Sequence, residues 1–160
     1  MSDHKQEFWD RLGDVQAGML GTDQDDMLVP MSPNLRDGGK DGQIWFITAK
    51  GTDIVNHLEA GARPSRLIVA DAKSGLYAHI KGDMAISNDR AVLEEIWSPV
   101  AAAWFEDGED DPDIRLVRFT PRVAEASGST TSAVKFFYET AKANLTGAKP
   151  NEGWHATLTF

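Results

Sequence analysis

The chain has 160 residues, 41% of them hydrophobic, with a formal net charge of -9 and no cysteine. That length predicts one domain over residues 1–160 with a proper core. Disulfides, thiolate nucleophiles and cysteine-ligated metals are excluded, and so acidic a surface disfavours nucleic acid and anionic lipid as partners.

No apolar run reaches the roughly 20 residues a membrane span needs. The charged start, MSDHKQEFWDRL, lacks the apolar region of a secretory signal. With no cysteine, the expected compartment is a reducing cytoplasm.

The first expected element is a helix over residues 3–13, with Asp3 and Gln6 as a capping box and Phe8, Trp9 and Leu12 on one face. Gly13 ends it. Val15, Ala17 and Met19 alternate, predicting a strand with these three inward. After the turn Thr22–Asp25, Met27 to Met31 reads as the hairpin partner, with Pro30 marking an edge, a bulge or an end. Residues 34–42, with three glycines, read as a loop.

Gln43 to Leu58 is the most informative stretch. Ile44 to Ala49 is a short run of β-branched and aromatic residues, a strand covered on both faces. Gly51 permits a sharp turn, Thr52 suits an N-cap, and Asp53 suits the first turn of a helix ending near Gly61. Such a turn reads either as an ordinary strand-to-helix connection or as a phosphate site. In the second reading Lys50 supplies charge and Thr48 and Thr52 supply hydroxyls.

Arg66 to Ala70 and Leu76 to Ile86 read as a hairpin around Asp71–Gly75. A helix from Ser87 or Asn88 carries Val92, Leu93, Ile96 and Trp97 on one face, interrupted by Pro99. Trp97 and Trp104, seven apart, fall on one helical face, with core or dimer packing as their default role. Residues 106–113 form an acidic loop. Strands follow at Ile114–Phe119 and, past Pro121, at Val123–Ala126. A helix spans Ser129–Leu145, and a last strand alternates Trp154, Ala156, Leu158 and Phe160. Hairpins dominate, which predicts an α+β but mainly β molecule: an antiparallel sheet or barrel with peripheral helices.

Several segments then line up in order. They are Val29-Pro30-Met31-Ser32, Ile44-Trp45-Phe46-Ile47-Thr48, Lys81-Gly82-Asp83-Met84-Ala85, Ile96-Trp97-Ser98-Pro99, Ala103-Trp104-Phe105 and Asp110-Asp111-Pro112-Asp113-Ile114-Arg115-Leu116. This ordered set resembles the FMN-binding split barrel superfamily typified by pyridoxamine 5'-phosphate oxidase, and within it the general stress protein 26 branch. The resemblance implies a six-stranded antiparallel split β-barrel with peripheral helices. It also implies a homodimer with FMN, or FAD, in clefts at the subunit interface.

By the same resemblance, Pro30, Met31 and Ser32 run along the flavin ring. Ile47 and Thr48 close the site near the ring and ribityl chain. Lys50, Gly51 and Thr52 grip the phosphate, Tyr77 is a polar ring contact, and Trp104 walls the cleft mouth. The implied function is flavin binding of the general stress type, with an FMN-dependent oxidoreductase of unknown substrate as one form of it. A non-catalytic flavin binder or sensor, and a barrel using deazaflavin, haem or no ligand, are the alternatives. They are motivated by departures from the family pattern. Val29 replaces an arginine, so one cationic contact is missing, and Thr52-Asp53-Ile54 replaces Ser-Arg-Lys at the phosphate turn, where two more cationic donors are missing.

Other chemistry finds little support. The four histidines lack i, i+4 pairing, so no metal site is expected. The acidic loop lacks the spacing and terminal glutamate of a calcium loop. Gly38, Gly39 and Gly42 are not followed by the Lys-Ser or Lys-Thr of a P-loop, and no Gly-x-Ser-x-Gly elbow is present.

Overall fold

A computed structural model describes residues 3–129, 138, 141, 142, 144, 145 and 153–160. Helix α1 (Asp3–Leu12) is followed by strands β1 (Gly18–Thr22), β2 (Val29–Met31) and β3 (Ile44–Ala49) and helix α2 (Asp53–Leu58). Strands β4 (Arg63–Asp71) and β5 (Leu76–Ser87), helices α3 (Arg90–Ile96) and α4 (Pro99–Ala102), and strands β6 (Ile114–Gly128) and β7 (Trp154–Thr159) complete it. The sheet is antiparallel in the order β2-β1-β4-β5-β6-β3, with β7 added to β6. It curls into a nearly closed barrel with one unsealed seam between its first and last strands. This is the expected split barrel.

The long β6 organises the curl. One edge pairs with β5 along most of its length. The other edge pairs first with β3, from Ile114 to Phe119, and then with β7, from Val123 to Gly128. Pro121 was expected to separate two short strands; instead the strand runs through. The ladder absorbs it as a bulge in which Lys81 faces Val123 and Gly82 faces Pro121, leaving Arg122 without a ladder partner. The bulged Arg122 donates to Asp83 (2.9 Å).

The barrel interior holds Phe46, Phe119, Leu20, Leu67, Ile80 and Met84 at 0–1% exposure. One end is capped by α1, whose Phe8, Trp9 and Leu12 are buried as their spacing predicts. Phe8 and Trp9 meet Phe160 with ring centroids 5.2 and 5.7 Å apart. A second, smaller cluster lies outside the barrel, where Val92, Leu93 and Ile96 of α3 cover Trp45 and Leu116.

Three expectations need correction. In β1 the inward residues are Gly18 and Leu20, whereas Ala17 and Met19 are exposed. Val15 is buried as expected, but a Cβ at Gly18 would lie 2.8 Å from a Leu67 methyl and 3.1 Å from Ile68 O, so β1 turns its glycine towards β4 and the phase shifts by one residue after Val15. Helix α3 is capped by Asp89, whose carboxylate accepts from the Val92 N–H (3.3 Å), because β5 continues to Ser87. Trp97 and Trp104 do not share a helix face. Pro99 starts a new helix at its first position, Ser98 caps it, and Trp97 is extended at ψ 134. The expected helix Ser129–Leu145 falls almost wholly outside the described residues. Among the described residues no helix is long and apolar enough to cross a membrane.

Candidate functional site

The seam is the feature on which the resemblance-derived residues can be tested. A single bridge holds it: Asn34 N–H donates to Trp45 O (2.8 Å) and Trp45 N–H donates to Asn34 O (2.9 Å). The Asn34 amide adds bonds to Trp45 O and Ser32 O, each 3.2 Å. Carrying that antiparallel register outward sets Ser32 level with Ile47 and Pro30 level with Ala49. No ladder joins β2 to β3 there. Pro30–Met31–Ser32 and Ile47–Thr48 therefore form two opposed lips. Asn34, which stitches them, was read only as loop; an asparagine after a proline carries no signal of a distant partner.

Within β3 alternate side chains take opposite faces. Ile44 and Phe46 enter the barrel core, while Ile47 packs with Trp45 in the outer cluster under α3. Thr48 shares the face of Ile44 and Phe46, is half-buried, and lies opposite Arg115. Ile47 and Thr48 therefore serve different faces.

The turn that follows is built as its sequence predicts. Gly51 has φ +86, and Thr52 caps α2. The Thr52 hydroxyl accepts from the Val55 N–H (3.4 Å) and donates to Ala49 O (3.1 Å), so it is engaged within the chain. Lys50 pairs with Asp113 (3.1 Å), and its N–H donates to Asp113 O (2.8 Å). Both side chains are more than half exposed, so the pair contributes about 0–1 kcal/mol and can be exchanged cheaply. Thr52→Ala should destabilise the protein by about 1 kcal/mol, read from urea unfolding.

Tyr77 and Trp104 lie outside the two seam strands. Tyr77 lies on β5, facing Ala70 and Ser127. It lies beside the half of β6 that pairs with β7, not the half that pairs with β3. Trp104 follows α4 and is 81% exposed. Two surface grooves adjoin the seam strands. One, of about 470 Å³, runs between Trp9, Asp10 and Asn34; the other, of about 420 Å³, lies between Ile86, Arg90 and Ile114.

Two polar arrangements escaped the sequence reading. Asp25, 5% exposed, accepts from Thr22 N–H (2.7 Å), from the Thr22 hydroxyl (2.8 Å) and from His57 Nδ1 (2.9 Å), tying α2 to the β1–β2 turn. On the outer face of β6 and β7, Ser127 Oγ meets His155 Nδ1 (2.7 Å) and His155 Nε2 meets Glu125 (3.1 Å). This resembles a nucleophile–base–carboxylate chain. However, β6 is paired on both edges there, so its N–H groups are committed and no oxyanion donor is free. The alternation of Glu125 and Ser127 against His155 and Thr157 was the available signal. Among the described residues no group of three His, Asp or Glu could hold a metal.

His79, on the outer face of β5, has its pKa lowered by burial first, then by Lys81 and Arg66. Below the ordinary imidazole value of 6.5 the unfolded chain takes up a proton that the folded chain resists. Its contribution is thus present above that pH and lost as pH falls towards the lower folded value. Wild type should lose more stability than His79→Asn on acidification from above to below pH 6.5, measured as Tm against pH.

Comparison with known families settles the lineage. Residues 3–151 match the model described as pyridoxamine 5'-phosphate oxidase like. The chain belongs to that family. A candidate general stress protein 26 from Jannaschia sp. CCS1 is 48% identical, with 100% of each chain covered and a TM-score of 0.86. The general stress FMN/FAD binding protein of Xanthomonas citri is 30% identical over 78% of this chain and 89% of that one, with a TM-score of 0.70. A general stress family candidate from Xanthomonas campestris is also 30% identical, over 82% and 93%, with a TM-score of 0.71. No curated protein matches the chain. The fold and the general stress branch are thus those that the ordered sequence segments imply.

Proposed function

We propose that the protein is a homodimeric, cytoplasmic flavin-binding protein of the general stress type, with FMN lying along the seam. The observation that carries this reading is the unpaired stretch of the seam, where the outer edges of β2 and β3, at Pro30–Ser32 and Ile47–Thr48, are joined to each other by no ladder, each strand being paired only on its other side. A flat polar-edged ring is the kind of ligand that satisfies the backbone groups of such edges without a deep pocket. The FMN/FAD binding relative from Xanthomonas citri supports the ligand class. Lys50 would leave the weak Asp113 pair for a phosphate, which offers a denser negative charge. A second copy seated across the seam would bring its Tyr77 and Trp104 to the ring, and the reading therefore includes a dimer. When bound, the flavin supplies two-electron and one-electron transfer; the chain supplies orientation and shielding from water.

The test is a titration with FMN, FAD and riboflavin, read by flavin and tryptophan fluorescence, alongside sedimentation. A dimer that binds FMN more tightly than riboflavin is expected. Lys50→Ala should weaken FMN by about tenfold or more and leave riboflavin unchanged, as removal of a charged hydrogen bond predicts. A monomer that binds none of the three flavins overturns the reading.

A second reading, a flavin binder without turnover, is favoured by the turn itself. The Asp53 and Ile54 side chains offer the phosphate no donors, and the Thr52 hydroxyl is engaged. Anaerobic mixing of the flavin complex with NADH or NADPH separates the two, because bleaching of the flavin band requires an oxidoreductase.

A further inference from the structure

The outer face of β4 and β5 carries an arrangement that the seam does not explain. Arg66 and Lys81 are directly opposite one another in the ladder, and both are exposed. Like charges so placed have Cβ atoms about 5 Å apart and repel. In this chain most arginines meet a carboxylate: Arg11, Arg36, Arg63, Arg90 and Arg122 all do. Arg66 and Lys81 meet none among the described residues, although acids outnumber bases 25 to 16. On one side is Gly21, over which Leu28 and the Asp25 carboxylate lie, that carboxylate being engaged by Thr22 and His57; on the other is half-buried Val123. The apolar Leu28 and Val123 lower the local dielectric and raise the worth of any charge that answers the two cations.

His79 adds an independent sign. It sits two residues from Lys81 on the same face, opposite Ile68 and Glu125. Its Nε2 is shut from solvent and has no hydrogen-bond partner. The other charged or titratable groups around this face include Asp25 over Gly21, Tyr77 and Asp83 on β5, Arg122 and Glu125 on β6, and His155 on β7. Asp83 is engaged by Arg122, and Glu125 by His155 and Thr157. No neighbouring acid is therefore left in contact with the two cations.

We propose that Arg66 and Lys81, with His79 beside them, form a binding site for a phosphoryl dianion on the outer face of β4–β5, separate from the Lys50 turn. A dianion between the two side chains converts their repulsion into two charge-assisted contacts. It also removes the positive field at His79. The inference does not need the seam to hold a flavin.

The experiment follows the His79 ring by NMR, its signal assigned by loss in His79→Asn, in inorganic phosphate and in chloride at matched ionic strength. Phosphate should raise the His79 pKa and chloride should not. In Arg66→Gln/Lys81→Gln the His79 pKa should already be raised and phosphate should move it no further. Both positions are exposed, so this variant should fold; Arg66→Gln and Lys81→Gln singly, each with a reduced response, serve as the second measurement. An equal response to chloride, or a phosphate response that survives the double substitution, overturns the site. Adding FMN or riboflavin identifies the source. If FMN reproduces the shift and riboflavin does not, the occupant is the cofactor's own phosphate. If FMN binds without moving His79 while inorganic phosphate does move it, the site takes a separate phosphoryl ligand. Failure of all flavins to bind would sink the seam reading and leave this one standing.

Discussion

Phe119→Ala should cost about 3–5 kcal/mol of unfolding free energy, read from urea curves at constant m. Phe119 is 0% exposed and sits where β6 has a neighbour on each side, Ile44 of β3 and Met84 of β5. Truncation leaves a void bounded by three strands of one ladder, and such a site cannot collapse without breaking pairing. Against a total of about 5–15 kcal/mol, the loss removes a large part of the stability. Phe119→Leu, which keeps most of the volume, should cost less than half as much. The strand that suffers also holds β3, one lip of the seam. Flavin binding should therefore weaken in step with stability for Phe119→Ala, whereas Lys50→Ala should change binding alone.

Gly82→Ala should be destabilising by about 2–3 kcal/mol, in the overpacking range. Replacing a glycine whose φ an alanine can adopt normally stabilises by about 0.4–1 kcal/mol through the unfolded chain, so the expected sign is the reverse of the ordinary one. The cause is contact with main chain. A Cβ at Gly82 would overlap Thr120 O and lie 2.8 Å from a Phe119 ring carbon and 2.9 Å from Pro121 Cα. Backbone in a ladder cannot swing aside as a flexible side chain can. Gly13→Ala is the control: its nearest contact would be 3.5 Å, so its effect should be small. Equal Tm values for Gly82→Ala and wild type would show that the bulge at Lys81/Gly82 tolerates a methyl group.

Much of this molecule was legible from residue order. Period and punctuation place α1, β3, the Gly51 turn, α2 with its Thr52 cap and the β4–β5 hairpin, because each is decided by neighbours within a few positions. Phe8, Trp9 and Leu12 are buried because their spacing makes one stripe, whatever that stripe meets. The ordered segments from Val29 to Leu116 carried the family, and with it the split barrel. Where local reading failed, a distant partner had the deciding vote. Pairing with β4, which sets Leu20 opposite Leu67, fixed which face of β1 is buried, and a bulge opposite Gly82 let β6 pass through Pro121.

The candidate site divides the same way. Residue chemistry pointed to the Thr48 and Lys50–Thr52 turn, and the family resemblance added Pro30–Ser32 and Ile47. Which of them face one another was settled by the curl of the sheet, which brings its first and last strands together at the Asn34–Trp45 bridge. Cross-strand neighbours such as Arg66 and Lys81, 15 positions apart by number, become adjacent only through register. Sequence fixes what each position can do within a turn of helix or a step of strand, since those preferences are energies of local geometry. Register, seam and unanswered charge depend on which strands meet, and long-range pairing decides that.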